Sequence, residues 1–234
     1  VTAPSGRVVV ATHNEGKLIE MRAILQASLG ELGGGRSVLP DLKLVSAGRL
    51  GLPDPAETGV TFEQNALIKA KDVARRTGLP ALADDSGLVV DVMGAAPGIL
   101  SARWSGVHGD DKANVRLLLA QIHDLPVSEL GARFVTAAAL VLPPGVGRQD
   151  AAGRQGPTEF IRTGRMEGHL IHEPRGEQGF GYDPIFVPDN QPERAREAGL
   201  ELTSAQLTPE EKNAISHRGK ALKAIMPILI ESLA

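Results

Sequence analysis

The chain has 234 residues, with 25 Lys and Arg against 28 Asp and Glu, a formal net charge of −3, 42% hydrophobic residues and no cysteine. That length and apolar fraction suffice for one ordinary domain core, and the missing cysteine excludes disulfides, thiolate metal sites and a cysteine nucleophile. The slight acidity argues against non-specific binding to nucleic acid, no apolar run approaches the roughly 20 residues of a membrane helix, and the opening VTAPSGRVVVATHN lacks the long apolar core of a signal peptide, so a cytoplasmic protein is expected.

Val8 to Ala11 reads as a short strand, and Leu18, Met21, Leu25 and Leu29 recur at helical spacing after it. The cluster Gly33-Gly34-Gly35 breaks that helix, Leu42 to Val45 is a second strand, and 51–60 is a Pro- and Gly-punctuated loop. Thr61 and Gln64 fit a capping box that opens a helix with Phe62, Ala66, Ala70 and Val73 as its apolar stripe, ended by Gly78-Leu79-Pro80. Ala81 to Ala83, Asp84-Asp85-Ser86-Gly87 and Leu88 to Val92 read as strand, acidic turn and strand. Residues 111–123 predict a helix buried through Leu117, Leu118 and Ile122, and Ala132 to Leu142 is too β-rich at its centre for one. The stretch 143–157 has the composition of an exposed connection between strands. Thr208-Pro209-Glu210-Glu211 is a second capping box, and it opens a terminal helical region with Leu222, Ile225, Met226, Leu229 and Leu233 inward and Pro227 as an expected kink. These alternating elements predict an α/β fold with a mixed sheet, taken as a single domain over 1–234.

Four clusters could carry chemistry. Thr12-His13-Asn14-Glu15-Gly16-Lys17 lies between a strand and a helix, where unpaired N–H groups favour phosphate, although Ala11 and Leu18 rule out a Walker A loop. In Asp84-Asp85 the alternation of a strand tends to send neighbouring side chains opposite ways, so one carboxylate is expected to enter a shared groove and the other to hold a loop or support a residue of the site. One inward Asp with Glu57 would satisfy a hard cation that also takes water and phosphate oxygens. Lys69 lies on a helix flank with Asn65 and Asp72. Gly179-Phe180-Gly181-Tyr182-Asp183-Pro184 is unusual in a chain with 3% aromatics: its glycines let backbone approach a flat ligand while an aromatic stacks on it. Lys212 and Ser216-His217-Arg218-Gly219-Lys220 gather donors at a helix interruption. Each of these also has an ordinary structural reading, as turn, helix start, core aromatic or solvated face.

Their order is more specific than any one of them. THNEGK, ETGVTFEQNALIKA, LADDSGLVVD followed by PGILSARWSG, GFGYDPIF and LTPEEKNAISHRGKAL together resemble the non-standard purine nucleoside triphosphate pyrophosphatases, the inosine/xanthosine triphosphatases, from Val8 to about Leu222. The resemblance implies an elongated mixed β-sheet with flanking helices, two lobes around a central groove, a homodimer, dependence on Mg²⁺, and hydrolysis of ITP, dITP and XTP to the monophosphate and pyrophosphate. Carried onto matching positions, it implies phosphate binding by Thr12, His13, Asn14, Glu15, Gly16 and Lys17, and catalysis by Asp85 with Lys69 on the phosphates. It further implies substrate contact by Ser86, Mg²⁺ near Asp85 and Glu57, and a nucleotide pocket of Phe180, Gly181, Tyr182, Asp183, Lys212, His217 and Arg218. A donor from His217-Arg218 is expected to meet the six-position keto oxygen that distinguishes hypoxanthine and xanthine from adenine. His13 stands where many relatives have a smaller residue, and Trp104 where Tyr is common. Two other readings are a related pyrophosphatase for modified pyrimidine nucleotides and a nucleotide sensor without turnover; the second would be expected to have lost the acidic pair or Lys69, and both are present.

Overall fold

The computed structural model describes residues 6–13, 15–32, 42–146 and 158–233, and within these the side chains other than those of 15, 16 and 28–32. Gly33-Gly34-Gly35 and the greater part of 143–157 lie outside the described residues. In chain order the elements are β1 (Arg7–Val10), α1 (Glu15–Leu32), β2 (Lys43–Ser46), α2 (Phe62–Thr77), β3 (Ala81–Val90), α3 (Asp111–Ile122), β4 (Gly131–Leu142), β5 (Thr158–Leu170), β6 (Phe186–Pro188), α4 (Glu193–Glu197), α5 (Pro209–Ile215) and α6 (His217–Leu233), with short 3₁₀ turns between some of them. The strands hydrogen-bond in the order β2-β1-β3-β4-β5-β6. β1 is parallel to β2 and β3, and β5 is antiparallel to β6, so the sheet is mixed and the fold is α/β as expected.

Three local expectations are corrected. Asp84-Asp85-Ser86-Gly87 is not a turn: β3 runs unbroken through it, because both carboxylates find cationic partners there and need no solvent-exposed bend. Thr61 does accept from the Gln64 N–H at 3.2 Å, but the Gln64 side chain reaches back one residue further than a capping box requires, to the N–H of Val60 at 2.7 Å. Leu117 is 36% exposed, and the buried face of α3 is carried by Asn114, Leu118 and Ile122. The second capping box forms as read, with Thr208 and Glu211 satisfying each other's backbone N–H groups at the start of α5. Pro227 lies inside α6.

The chain divides into two compact units, the first comprising 1–85, 137–163 and 218–234, the second 86–136 and 164–217. In the first unit, alternate strand residues sort into two cores. Val8, Val10, Leu82, Leu140 and Leu142 pack with Leu18, Met21, Ile24 and Leu25 of α1 and with Leu222, Ile225, Met226 and Leu229 of α6. Val9, Ala81, Ala83, Ala137 and Ala139 pack with Ala66, Ala70, Val73 and Ala74 of α2. The first interface is made of large aliphatic chains and the second mostly of alanines, which lets the α2 backbone lie close to the strands. In the second unit Leu88, Val90, Leu118, Ile122, Leu130, Phe134, Met166, Leu170 and Phe186 form the core, with Phe134 edge-on to Phe186 at a ring separation of 4.7 Å. Among the described residues, no helix is long and apolar enough to cross a membrane.

The alanine interface has little room for added methylenes. Ala70→Leu is expected to destabilise the protein by about 1–3 kcal/mol through overpacking, read as a lower midpoint in urea unfolding. A midpoint equal to that of the parent chain would mean that α2 does not lie as close to the strands as described.

Candidate active site

The period of two along β3 decides where its charges go. Leu82 faces the α1 and α6 core and Ala83 the α2 core. Asp84 follows Leu82: its Oδ2 accepts from Arg218 Nε at 3.0 Å and lies 3.9 Å from Lys17 Nζ, and Arg218 NH1 donates to Glu20 at 2.6 Å. Lys17 and Glu20 come from α1 and Arg218 from the start of α6, so this face of the strand meets a chain of alternating charges. Asp85 follows Ala83 to the other face. Lys69 of α2 donates to its Oδ1 at 2.9 Å and Asn65, one turn earlier, approaches its Oδ2 at 3.4 Å. Lys69 Nζ also reaches Glu57 in the preceding loop at 3.2 Å. Asn65 ties that loop down as well, since its Oδ1 accepts from the Gly59 N–H at 2.9 Å. Asp72, expected on the same flank, is instead paired with Arg75 and Arg76.

The two carboxylates are 3% and 9% exposed, yet their surroundings push them in opposite directions. Burial disfavours the charged form of Asp84, but the Lys17, Arg218 and Lys69 charges outweigh it and hold the group far below the ordinary value of 3.8. Burial also acts on Asp85, and there Lys69 does not fully offset it while Glu57 and Asp84 add repulsion, so Asp85 is raised above 3.8. On Lys69, the burial cost is exceeded by the attraction of Asp85, Asp84 and Glu57, and the ammonium is raised. Asp84 attracts Lys17, but burial together with the Arg218 and Lys69 charges leaves it below its ordinary value. One Asp is therefore locked as an anion, and its neighbour keeps the more proton-hungry carboxylate.

The second unit holds the aromatic loop. Asp183 is buried and its Oδ2 accepts both from the Phe180 N–H at 2.8 Å and from Lys212 Nζ at 2.6 Å. Gly179 and Gly181 have φ of +80° and +61°, a backbone region that L side chains seldom enter, and at Gly179 a Cβ would also collide with the Asp183 carboxylate. The Tyr182 hydroxyl, driven up by burial and by Asp111, donates to the Ser101 carbonyl at 2.9 Å. The loop is thus tied inward while Phe180 stays 44% exposed, with Lys212 Nζ 5.2 Å from its ring centroid. Buried His217 stacks on Phe134 at 4.9 Å.

The structure therefore groups Lys17, Glu57, Lys69, Asp84, Asp85 and Arg218 in the first unit, and Phe180, Gly181, Tyr182, Asp183, Lys212 and His217 in the second. Thr12 is buried and its carbonyl accepts from Gly48 N–H; His13 donates from Nε2 to the Leu52 carbonyl at 2.6 Å and has Nδ1 2.6 Å from Asp54. Asn14 lies outside the described residues, and of Glu15 and Gly16 only their place at the start of α1 is described. Ser86 shares a hydrogen bond of 2.8 Å with Thr136. Arg218, expected among donors to a base, has its guanidinium engaged by two carboxylates and is 2% exposed. Glu20 was missed in the sequence, though it stands at i+3 from Lys17 on one helix face.

The fold is a mixed six-stranded α/β sheet that carries two oppositely directed carboxylates on an interior strand. Residues 8–228 match the Ham1 family, and the chain belongs to it. A curated relative from Bifidobacterium animalis subsp. lactis (strain AD011), named dITP/XTP pyrophosphatase, is 58% identical over 237 residues, covering 96% of this chain and 97% of that protein. The solved HAM1 protein from Coxiella burnetii is 36% identical with a TM-score of 0.73, covering 96% of this chain and 98% of that one. A nucleoside-triphosphatase / dITP/XTP pyrophosphatase from Mycobacterium abscessus is 44% identical with a TM-score of 0.66, covering 95% of this chain and 99% of that one.

Asp84→Asn leaves the buried Arg218 and Lys17 short of one anion and is expected to cost about 3 kcal/mol. Asp85→Asn removes a carboxylate whose burial exceeds its compensation, so stability is expected to be unchanged or slightly higher. Because folded Asp84 ionises below its ordinary 3.8, its contribution is full above that value and lost as pH falls toward the folded value, so Asp84→Asn should also flatten the acid limb of stability. Thermal unfolding of both variants from pH 3 to 7 checks this; equal losses in the two would contradict the division of roles.

Proposed function

We propose that this protein hydrolyses the non-standard purine nucleoside triphosphates ITP, dITP and XTP to the nucleoside monophosphate and pyrophosphate, with Mg²⁺ as its cofactor. The observation that carries the reading is Asp85: a raised, partly compensated carboxylate, hydrogen-bonded by a lysine, with a second carboxylate on the same ammonium. The names of the Bifidobacterium and Mycobacterium relatives support the substrate class.

The donor set fits the ion. Asp85 and Glu57 offer two hard oxygen side chains around Lys69, and among the described residues no group of three or more acidic or histidine side chains forms a complete cage. Mg²⁺ characteristically takes one or two carboxylates and completes its shell with water and substrate phosphate. When bound it supplies charge neutralisation on the triphosphate. Lys69, held cationic by its carboxylates, and Lys17, at the start of α1, neutralise phosphate oxygens as charge moves onto the leaving pyrophosphate. Asp85 orients the attacking water toward the α-phosphorus and, as general base, takes its proton as the new P–O bond forms and the bond to the leaving pyrophosphate breaks. In the second unit the exposed Phe180 offers a ring face to a flat base, while the Lys212 ammonium, paired with Asp183, lies over the ring at 5.2 Å from its centroid. The same reading includes a homodimer working on the cytoplasmic nucleotide pool, and sedimentation equilibrium tests the dimer.

Pyrophosphate release from ITP, dITP, XTP, ATP, GTP and dTTP with and without Mg²⁺ tests the function. The three non-standard purines should be cleaved only with the metal, and far faster than the others. Preference for dTTP or its modified analogues would transfer the protein to the pyrimidine reading, and nucleotide binding without release of pyrophosphate would make it a sensor. Asp85→Asn is expected to lower kcat by roughly 100-fold or more, the scale of lost general-base action, with the fold retained. Since Asp85 must be ionised, activity of the parent chain should fall on the acid side, and the fall should move to lower pH as Mg²⁺ is raised, because the cation favours the carboxylate.

A further inference from the structure

We propose that Asp111 is a positioning residue for Phe180, acting through the backbone of the aromatic loop; this rests on the base-stacking role given to Phe180 above. At the start of α3 two adjacent carboxylates divide the work. Asp110 is the N-cap and accepts from the Ala113 N–H at 2.9 Å. The helix start is thereby served, and Asp111 turns outward: its Oδ2 accepts from the Gly181 N–H at 2.8 Å, across 70 residues of sequence.

That bond completes a bracket around one residue. The orientation of a Cα–Cβ bond is set by the two peptide planes that flank it. The plane before Phe180 is held by its N–H on Asp183, and the plane after it by the Gly181 N–H on Asp111. Phe180 is 44% exposed, and alongside the Lys212 ammonium 5.2 Å from its ring centroid these two backbone anchors help to set the direction of the ring. Gly181 sits at φ +61°, where losing its partner would free a glycine with many other conformations open to it. Asp111 and Phe180 also line one cavity of about 410 Å³ together with Val115 and Pro184, so the anchor stands at the wall of the space beside the ring.

A positioning role separates from a merely structural one in the kinetics. For Asp111→Ala, KM for ITP should rise roughly tenfold, the scale of one lost charge-assisted hydrogen bond, with kcat within about twofold. Asp111→Asn keeps an acceptor oxygen and should restore most of the loss. In a Phe180→Ala background, Asp111→Ala should add almost nothing, because the ring it aims is gone. Unchanged KM in Asp111→Ala, effects that multiply in the double variant, or a loss of kcat that tracks a lower urea midpoint would each overturn the proposal. Amide hydrogen exchange without nucleotide gives a readout free of substrate: protection at Gly181 should fall in Asp111→Ala and persist in Asp111→Asn, and no change at Gly181 overturns the anchor. A parent chain that cleaves no purine triphosphate would instead overturn the proposed function, while the exchange result would still decide whether the anchor exists.

Discussion

The alternation of side chains along β3 is the constraint on which the site in the first unit depends. Two aspartates in succession on a strand cannot share one environment, and the helices on either side of this strand give them different ones. Toward α1 and α6, Asp84 enters a dense array with Lys17, Arg218 and Glu20, in which each buried charge has an opposite neighbour. Toward α2, Asp85 meets one lysine that it shares with Glu57, so two anions divide one cation. A buried pair of charges is stable only when its desolvation is met by partners, and the first array meets that demand while the second does not fully do so. Under the proposed function that shortfall is what Asp85 would bring to the reaction, since an incompletely satisfied carboxylate retains affinity for protons and cations.

The packing behind each face serves the same division. Large aliphatic residues from α1 and α6 pack on the strand face that carries Asp84, and the burial of Asp84 and Arg218 keeps their ion pair strong. The α2 side is lined by alanines, and the close approach they permit brings Lys69 and Asn65 within hydrogen-bonding reach of Asp85. In the second unit preorganisation takes another form. Backbone amides and a buried aspartate hold the glycine-flanked loop, leaving one aromatic ring as the exposed element on a rigid mount. Rigidity of that kind lowers the ordering cost that a ligand must overcome on binding.

Much of this was legible in the sequence, and the gaps have physical causes. Helical periodicity located α1, α2 and α3 because their inward faces are apolar, and the Thr208 capping box was readable because its two bonds are local. The opposed directions of Asp84 and Asp85 follow from strand geometry, whereas the composition of the segment points to a turn. Asp, Ser and Gly favour turns when alone, but here Arg218, 134 residues away, satisfies the carboxylate within a strand. The same distance hid the engagement of Arg218 by Glu20, which spans 198 residues. Leu117 was assigned to the core by residue type, and one position of helical rotation carried it to the surface. Asp111 carried no signal beyond its place at a helix start, since its partner is a backbone N–H that no sequence pattern marks.

The opposite protonation behaviour of the neighbouring carboxylates on β3 is open to direct titration. Side-chain ¹³C carboxyl shifts of Asp84 and Asp85, followed by NMR from neutral pH down to the onset of acid unfolding in metal-free protein, would report each group separately. Asp85 should take up its proton above 3.8 while Asp84 remains ionised until the fold is lost. Coincident titration of the two, or protonation of Asp84 before Asp85, would contradict it.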